Sequence, residues 1–237
     1  MADLAVQVWG LIPARGGSKS IPLKNLAPIS GRPMLEYTAA LAGDLIGVER
    51  VIGSTDHSEI VNVFKKFDIE VHQRPEPLSG DSARVDDLAR AILQEAGDKA
   101  PDAILLMQPT SPFCRAADIH AVINELESHP DAMSVQTITS VPHNCHEWNQ
   151  RYFVDGVVDF VHKLERQKGY RKQSKPHRWI FGNVVITRSE ALLRGENFFA
   201  GPSRGIEIER LNSIDVDGAD DLVIAEALYN YWHPDEL

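Results

Sequence analysis

The first half of the chain alternates short apolar runs with segments whose apolar side chains recur at helical spacing. Residues 6–12, 48–55 and 103–107 are predicted strands, and the uninterrupted run at 103–107 is typical of a strand buried on both faces. Residues 59–67 place apolar side chains at i, i+3, i+4 and i+7, which indicates an amphipathic helix. This alternation predicts an α/β fold with a mostly parallel sheet and helices on both faces.

The second half of the chain departs from this pattern. Residues 139–182 carry short strand-like runs and no strong helical pattern, whereas the α/β pattern resumes at 183–195 and 208–232. We interpret 139–182 as a β-rich dimerisation arm inserted into a single domain that spans residues 1–237. Because the arm has no helical core of its own, its apolar side chains need another surface, and we expect a homodimer.

The composition excludes several classes of partner. The chain has 237 residues and a net charge of −10, so most of its surface would repel a polyanion, and we expect no nucleic-acid partner. The N-terminal stretch lacks the pattern of a signal peptide, and no apolar run approaches the ~20 residues of a membrane span. Cys114 and Cys145 lie far apart, which is typical of free thiols. We therefore expect a cytoplasmic protein without a membrane partner.

A loop with two glycines, "IPARGGSKSIPLKN" at 12–25, follows the first predicted strand, where ligands of parallel sheets bind. Pro13 and Ser18 stand where a Walker loop requires glycine, and Gly16 with Gly17 does not complete a dinucleotide fingerprint. The two glycines still let the backbone approach a ligand and present its N–H groups. Four cations and no acid occur within 18 residues: Arg15, Lys19, Lys24 and Arg32. The loop predicts a phosphate site, the alternative being a solvated turn with incidental charges.

Three ordered stretches resemble signature motifs of the CMP-sialic acid synthetases, also called acylneuraminate cytidylyltransferases: the opening loop, "QPTSPF" at 108–113 and "SIDVD" at 213–217. The segments "STDHSEI" and "RPEPLSGDSA" are also similar to the family. The resemblance implies a Rossmann-like nucleotidyltransferase fold and transfer of CMP from CTP to the anomeric hydroxyl of a nonulosonic acid, with release of pyrophosphate. It also implies Mg²⁺ as cofactor, and a homodimer in which the arm of one subunit reaches towards the partner's active site.

The same resemblance implies roles for particular residues. Arg15 and Lys24 are expected to be the catalytic cations on the phosphates, Arg15 through a bidentate grip and Lys24 as a point charge. Gln108 is expected to contact the nucleotide and the sugar acid, and Ser82 lies near Val85, where relatives often carry a small hydroxyl residue. The expected nucleotide-binding set is Ala14, Arg15, Gly16, Ser18, Lys24, Asn25, Arg74, Ser82 and Gln108.

Asp215 and Asp217 form the candidate metal site. They are two residues apart, and on a strand that spacing points both carboxylates to one face. Two hard oxygen ligands suit Mg²⁺, which otherwise keeps water and phosphate oxygens. Asp217 also precedes the helical pattern "GADDL" and could cap that helix, a role compatible with metal binding.

The basic run at 162–178 holds seven Lys or Arg and one Glu. Within it we expect Arg178 to hold the carboxylate of the acceptor, with a solvated arm as the alternative. Relatives usually carry Arg-x-Asn-Gly before the next strand, where this chain reads "RWIFGN", so we expect N-acetylneuraminic acid to be a poor acceptor or not the only one. The alternative functions are nucleotidyl transfer to another acid and a non-catalytic nucleotide-sensing subunit.

Overall fold

The computed structural model describes residues 6–43, 45–80, 82–169 and 171–232, without the side chain of Lys172. Met1–Ala5, Asp44, Asp81, Tyr170 and the last five residues lie outside the described part. The strands are β1 Val8–Pro13, β2 Pro28–Ile29, β3 Arg32–Pro33, β4 Arg50–Thr55, β5 Glu70–Gln73, β6 Ala103–Met107, β7 Ser134–Ser140, β8 Arg151–Val154, β9 Val157–Phe160, β10 Trp179–Arg188 and β11 Ser203–Glu207.

Seven α-helices occur in the described part of the chain, together with several short 3-10 turns. None of these helices combines the length and the apolar character that crossing a bilayer requires. The helices are α1 Met34–Gly43, α2 Ser58–Lys66, α3 Val85–Ala96, α4 Ala116–Ser128, α5 Lys163–Lys168, α6 Ser189–Leu193 and α7 Ala219–Tyr229.

The central sheet has seven strands in the order β11-β7-β10-β6-β1-β4-β5. β1 pairs in parallel with β4 and β6, β4 with β5, and β7 with β11, which confirms the predicted mostly parallel sheet. β10 is the exception because it runs antiparallel to both β6 and β7. The alternation of elements did not show which strand would be reversed, and it also missed β11, whose exposed and polar residues give no apolar pattern.

Helices cover both faces of the sheet and bury alternate residues of its strands. On one face, α1, α2 and α4 pack against a set that includes Val8, Ile12 and Leu105. On the other face, α3 and α6 pack against a set that includes Leu11 and Leu106. Because successive side chains of a strand point to opposite faces, continuous apolar strands fill both layers of the core.

The arm is shorter than the predicted range 139–182. Ser140 ends β7 and Trp179 begins β10, so both ends of that range belong to the central sheet. Between them lie the β8–β9 hairpin and the short helix α5. The hairpin and its flank expose large apolar side chains, with Phe153 72% exposed: Tyr152, Phe153, Val154, Val157, Val158 and Val161.

Candidate active site

Two open cavities lie beside the loops that follow β1 and β6, at the carboxyl ends of adjacent parallel strands. The loop cavity has a volume of about 570 Å³ and is lined by Pro13, Arg15, Gly17, Ser18, Lys19, Ser20, Lys24, Asn25, Thr110 and Asp217. The aspartate cavity has a volume of about 380 Å³ and is lined by Pro13, Asn25, Val85, Gln108, Pro109, Thr110, Asp215 and Asp217. The two cavities adjoin, since four residues line both.

Backbone hydrogen bonds hold the opening loop beside β4. Ala14 is buried, and its N–H donates to the Ser54 carbonyl at 2.9 Å. The buried Asn25 donates its side-chain amide to the Arg15 carbonyl at 2.9 Å, which ties the two ends of the loop together. Ala14 therefore anchors the loop, whereas Arg15 and Asn25 face the cavities.

Gly16 is the point at which the loop rests on the end of β4. Its N–H donates to Asp56 Oδ1 at 2.7 Å. A Cβ atom at this position would lie 2.8 Å from His57, closer than real Cβ contacts, whereas a Cβ atom at Gly17 would meet nothing within 4 Å. The two glycines thus have different roles: Gly16 permits close packing, and Gly17 faces the cavity.

Three cations of the opening loop line the loop cavity, namely Arg15, Lys19 and Lys24. Lys24 Nζ lies 3.0 Å from Asp217 Oδ1, with 16% of the lysine side chain and 77% of the aspartate side chain exposed. Arg32, the fourth predicted cation, instead donates to the Glu36 carbonyl at 2.7 Å. Three of the four positive charges therefore converge where the sequence predicted a phosphate site.

The segment that carries both candidate metal ligands is not a strand, contrary to the geometry assumed from the sequence. It is an irregular connection between a 3-10 turn, Arg210–Ser213, and α7. Asp215 and Asp217 nevertheless both line the aspartate cavity. The buried Val216 between them donates its N–H to the Thr110 carbonyl at 2.8 Å, which fixes the segment against the loop after β6.

The capping interpretation of Asp217 is wrong. The N-cap of α7 is Gly218, and Asp221 accepts hydrogen bonds from the N–H groups of Asp217 and Gly218 at 3.0 and 2.8 Å. Asp221 therefore satisfies the start of the helix. The carboxylate of Asp217 faces Lys24 instead.

Asp215 lies in an environment that disfavours the ionised form of its carboxyl group. Desolvation raises the pKa of its carboxyl group above the ordinary value, and the charge of Asp217 raises it further. A hydrogen bond from the Thr110 side chain and the charge of Lys24 act in the opposite direction without cancelling the rise. A cation placed here would therefore relieve an unfavourable concentration of negative charge.

Asp215 and Asp217 fit a hard cation that takes its remaining ligands from water and substrate. Among the described residues, no cluster of three or more His, Cys, Asp or Glu side chains is arranged to hold a metal. Two carboxylates fit Mg²⁺, which keeps several waters and binds through one or two carboxylates plus substrate phosphates.

Five predicted site residues line neither cavity: Ala14, Gly16, Arg74, Ser82 and Arg178. Arg74 is buried and donates through Nε to the Leu78 carbonyl at 2.7 Å, and burial lowers its pKa. Ser82 is exposed, and neither it nor Arg74 lines either cavity. Arg178 also lies outside both cavities and pairs with Glu147, Nε to Oε1, at 3.0 Å. Gln108 lines the aspartate cavity.

Thr110 and Asp56 are two site residues for which the sequence predicted no role. Thr110 lines both cavities and hydrogen-bonds to Asp215. Asp56 accepts from the opening loop. Both residues lie within stretches recognised as similar to the family, "QPTSPF" and "STDHSEI", so the signal was present but was not resolved to these positions.

The fold and the converging loops define a nucleotidyltransferase-like α/β protein. The sequence profile of the cytidylyltransferases matches residues 9–186, and the chain belongs to that family. The resemblance found in the motifs is thereby confirmed.

Two relatives of known name match most of this chain. The N-acylneuraminate cytidylyltransferase of Streptococcus agalactiae serotype V is 29% identical over 226 residues, covering 93% of this chain and 53% of the relative. The CMP-N,N'-diacetyllegionaminic acid synthase of Legionella pneumophila is 27% identical over 229 residues, covering 94% of this chain and 96% of the relative. The chain thus spans about half the length of the streptococcal relative and nearly all of the Legionella relative.

Solved structures agree on the fold. A CMP:2-keto-3-deoxy-manno-octonic acid synthetase in complex with CTP superposes with a TM-score of 0.71 at 17% identity, covering 95% of this chain and 99% of that one. The 4-diphosphocytidyl-2C-methyl-D-erythritol synthase of Anaerococcus prevotii gives a TM-score of 0.62 at 15% identity, covering 95% and 97% of the two chains. At these identities the likeness establishes the fold alone.

Proposed function

We propose that this protein transfers CMP from CTP to the anomeric hydroxyl of a nonulosonic acid and releases pyrophosphate. The observation that carries the proposal is the convergence of Arg15, Lys19 and Lys24 with Asp217 in one open cavity at the carboxyl edge of the sheet. The curated relatives named above bear the names of enzymes that form CMP derivatives of such acids. The family membership and the site chemistry therefore support the same reaction.

The cations of the loop cavity supply the charge that this reaction needs. Phosphoryl-type transfer depends mainly on positioning and on charge stabilisation by the protein. Arg15 and Lys24 hold the phosphates, and Ser18 and Asn25 contribute hydrogen bonds as the acceptor hydroxyl attacks the α-phosphorus and loses its proton to solvent water. Pyrophosphate leaves with the bond electrons, so the cations act on the group whose negative charge grows.

Asp215 and Asp217 hold Mg²⁺ in this proposal, with Thr110 steadying Asp215. A bound Mg²⁺ supplies Lewis-acid stabilisation of phosphate oxygens. The raised pKa of Asp215, caused first by desolvation and then by Asp217, supports a role that neutralises the pair with an external cation. Lys24 pairs with Asp217 in the absence of ligands, and it would contact a phosphate instead once Mg²⁺ occupies that carboxylate.

The remaining contacts complete the proposal. Gln108 contacts the nucleotide and the acceptor within the aspartate cavity, whereas Arg74 and Ser82 act on the base through the loop at 73–83. Arg178 holds the acceptor carboxylate from the arm of a second subunit, and the protein works as a cytoplasmic homodimer. The exposed apolar side chains of the β8–β9 hairpin support the dimer because they lack cover within one chain.

Pyrophosphate release from each of the four nucleoside triphosphates, with a panel of eight- and nine-carbon keto acids and Mg²⁺, tests the function directly. We expect release only with CTP plus an acid acceptor, and we expect N-acetylneuraminic acid not to be the best acceptor. Equal release with all four triphosphates would contradict the cytidine assignment. Binding of CTP without release for any acid would favour a nucleotide-sensing role instead.

A further inference from the structure

A set of buried polar side chains lies behind the aspartate cavity. Asn183 and Thr137 are fully buried, and Asp118 and Asn212 are each 3% exposed. Together with Arg115 they form what we call the buried amide network. Burying such groups costs free energy unless each is hydrogen-bonded, so their number in one place requires a complete set of partners.

Asn183 is the centre of the network, and its amide is fully satisfied. Thr137 Oγ1 donates to its oxygen at 2.9 Å, and its nitrogen donates to Asp118 Oδ2 at 3.1 Å and to the Asn212 carbonyl at 2.9 Å. These three bonds fix the orientation of the amide. The residue lies where the β10–β7 pairing shifts register, between Phe181 and Val185, an irregularity that re-aims side chains.

One side of the network fixes the aspartate segment. The carbonyl of Asn212 belongs to the 3-10 turn that ends two residues before Asp215, and Asn183 is its buried donor. With the Asn212 side-chain oxygen turned towards Arg115, that oxygen accepts from the guanidinium at 2.9 Å. The turn is therefore held at its backbone by Asn183 and at its side chain by Arg115.

The other side of the network fixes the loop after β6. Asp118 is in the first turn of α4, and Arg115 is the N-cap residue that ends the loop carrying Gln108 and Thr110. Arg115 donates to Asp118 Oδ1 at 2.9 Å, which balances the charge of the buried carboxylate. Asp118 in turn accepts from Asn183. A single network thus joins two loops that also contact each other directly, through the Val216 N–H to Thr110 carbonyl bond and the Thr110 side-chain bond to Asp215.

We propose that Asn183 is a positioning residue, which sets the relative placement of the aspartate segment and the loop after β6 and thereby the affinity of the metal pair. The effect on metal affinity rests on the proposed function, because Asp215 and Asp217 are the metal ligands there. Asn183 itself lines neither cavity. Its effect on the metal pair is therefore expected to be indirect, through the placement of the two segments.

The test compares Asn183→Ala with Thr187→Ala. Thr187 is a matched control because it is buried on the same strand, and its hydroxyl donates to the Phe198 carbonyl, away from both cavities. Each variant loses a buried hydrogen-bonding group, so both should lower the melting temperature. Two further quantities are measured on each protein: hydrogen exchange at the Val216 amide, and the Mn²⁺ affinity of the CTP-bound protein by electron paramagnetic resonance.

We expect Asn183→Ala to speed exchange at Val216 by at least tenfold and to raise both the Mn²⁺ dissociation constant and the Mg²⁺ concentration for half-maximal pyrophosphate release by at least tenfold. Thr187→Ala should stay within twofold of wild type in all three. A folded Asn183→Ala protein with wild-type exchange at Val216, or with wild-type Mn²⁺ affinity, overturns the proposal. If wild type shows no metal-dependent release with CTP, the proposed function fails, and exchange at Val216 alone decides the positional role.

Discussion

Asp217→Asn and Lys24→Met each remove the same ion pair. Under the proposed function the first should impair metal binding and the second phosphate binding. The pair is partly solvated, with the aspartate side chain 77% exposed, so its own contribution to stability should be only about 0–1 kcal/mol. For a domain of this size, 1 kcal/mol corresponds to about 2–4 °C in melting temperature. Neither variant should therefore lose more than about 4 °C.

Activity should change far more than stability. Losing a hydrogen-bonded charge contact costs about 2–5 kcal/mol, and about 1.4 kcal/mol corresponds to a tenfold change. Lys24→Met should therefore lower kcat/KM for CTP by about 30-fold or more while keeping the Mg²⁺ dependence. Asp217→Asn removes a direct metal ligand, so it should lower turnover more than about 100-fold, since even outer contacts of metal ligands are worth about 10- to 100-fold.

The assay is pyrophosphate release at varied CTP and varied Mg²⁺, with melting temperatures measured on the same samples. The double variant completes a thermodynamic cycle. If the two residues only stabilise each other, each single variant should lose stability equally and keep wild-type turnover at saturating Mg²⁺. That result would refute the assignment of Asp217 to the metal and of Lys24 to the phosphates.

Three further predictions follow from the site and from the arm. Gly16→Ala places a Cβ 2.8 Å from His57 and should lower kcat/KM at least tenfold in steady-state assays. Gly17→Ala meets no neighbouring atom, so hydrogen exchange of the opening loop should stay as in wild type. Asp215→Asn should raise the melting temperature of the metal-free protein at pH 7, because the raised pKa of this carboxyl group makes its ionised form unfavourable in the folded state. A carboxyl group whose pKa is higher in the folded than in the unfolded protein destabilises the fold as pH rises above its unfolded pKa, about 3.9 for Asp. The melting-temperature gain of Asp215→Asn should therefore vanish below about pH 3.9 in thermal melts. Replacing Phe153 by Asp should convert a dimer to a monomer in light scattering at micromolar concentration, and a wild-type protein that is already monomeric would contradict the interface.

Local patterns identified the elements that local physics determines. Continuous apolar runs predicted β1, β4 and β6, and helical spacing predicted α2, because each pattern reports which faces of an element are buried. β11 escaped detection because its residues are mostly exposed, so no alternation of apolar side chains marks it. The direction of β10 is not a local property, since it depends on which neighbours the strand meets.

The site was predicted at the level of its residue types and less well at the level of its contacts. Three of the four cations of the opening loop and both aspartates line the cavities. The bond between Gly16 and Asp56 joins positions 40 residues apart, and that between Asn183 and Thr137 joins positions 46 residues apart. No spacing rule connects such pairs. Asp215 and Asp217 converge through the Val216 anchor rather than through strand geometry.

The reversed direction of β10 has a further consequence for the site. Val184 pairs with Met107, the last residue of β6, so the residues of β10 that precede it extend past the carboxyl end of β6. β7 runs parallel to β6 because both are antiparallel to β10, and it too ends at this edge, at Ser140. The arm therefore leaves the sheet and returns to it at the edge that carries the cavities. A parallel β10 would begin at the opposite edge of the sheet, so Arg178, which directly precedes it, would start away from the cavities.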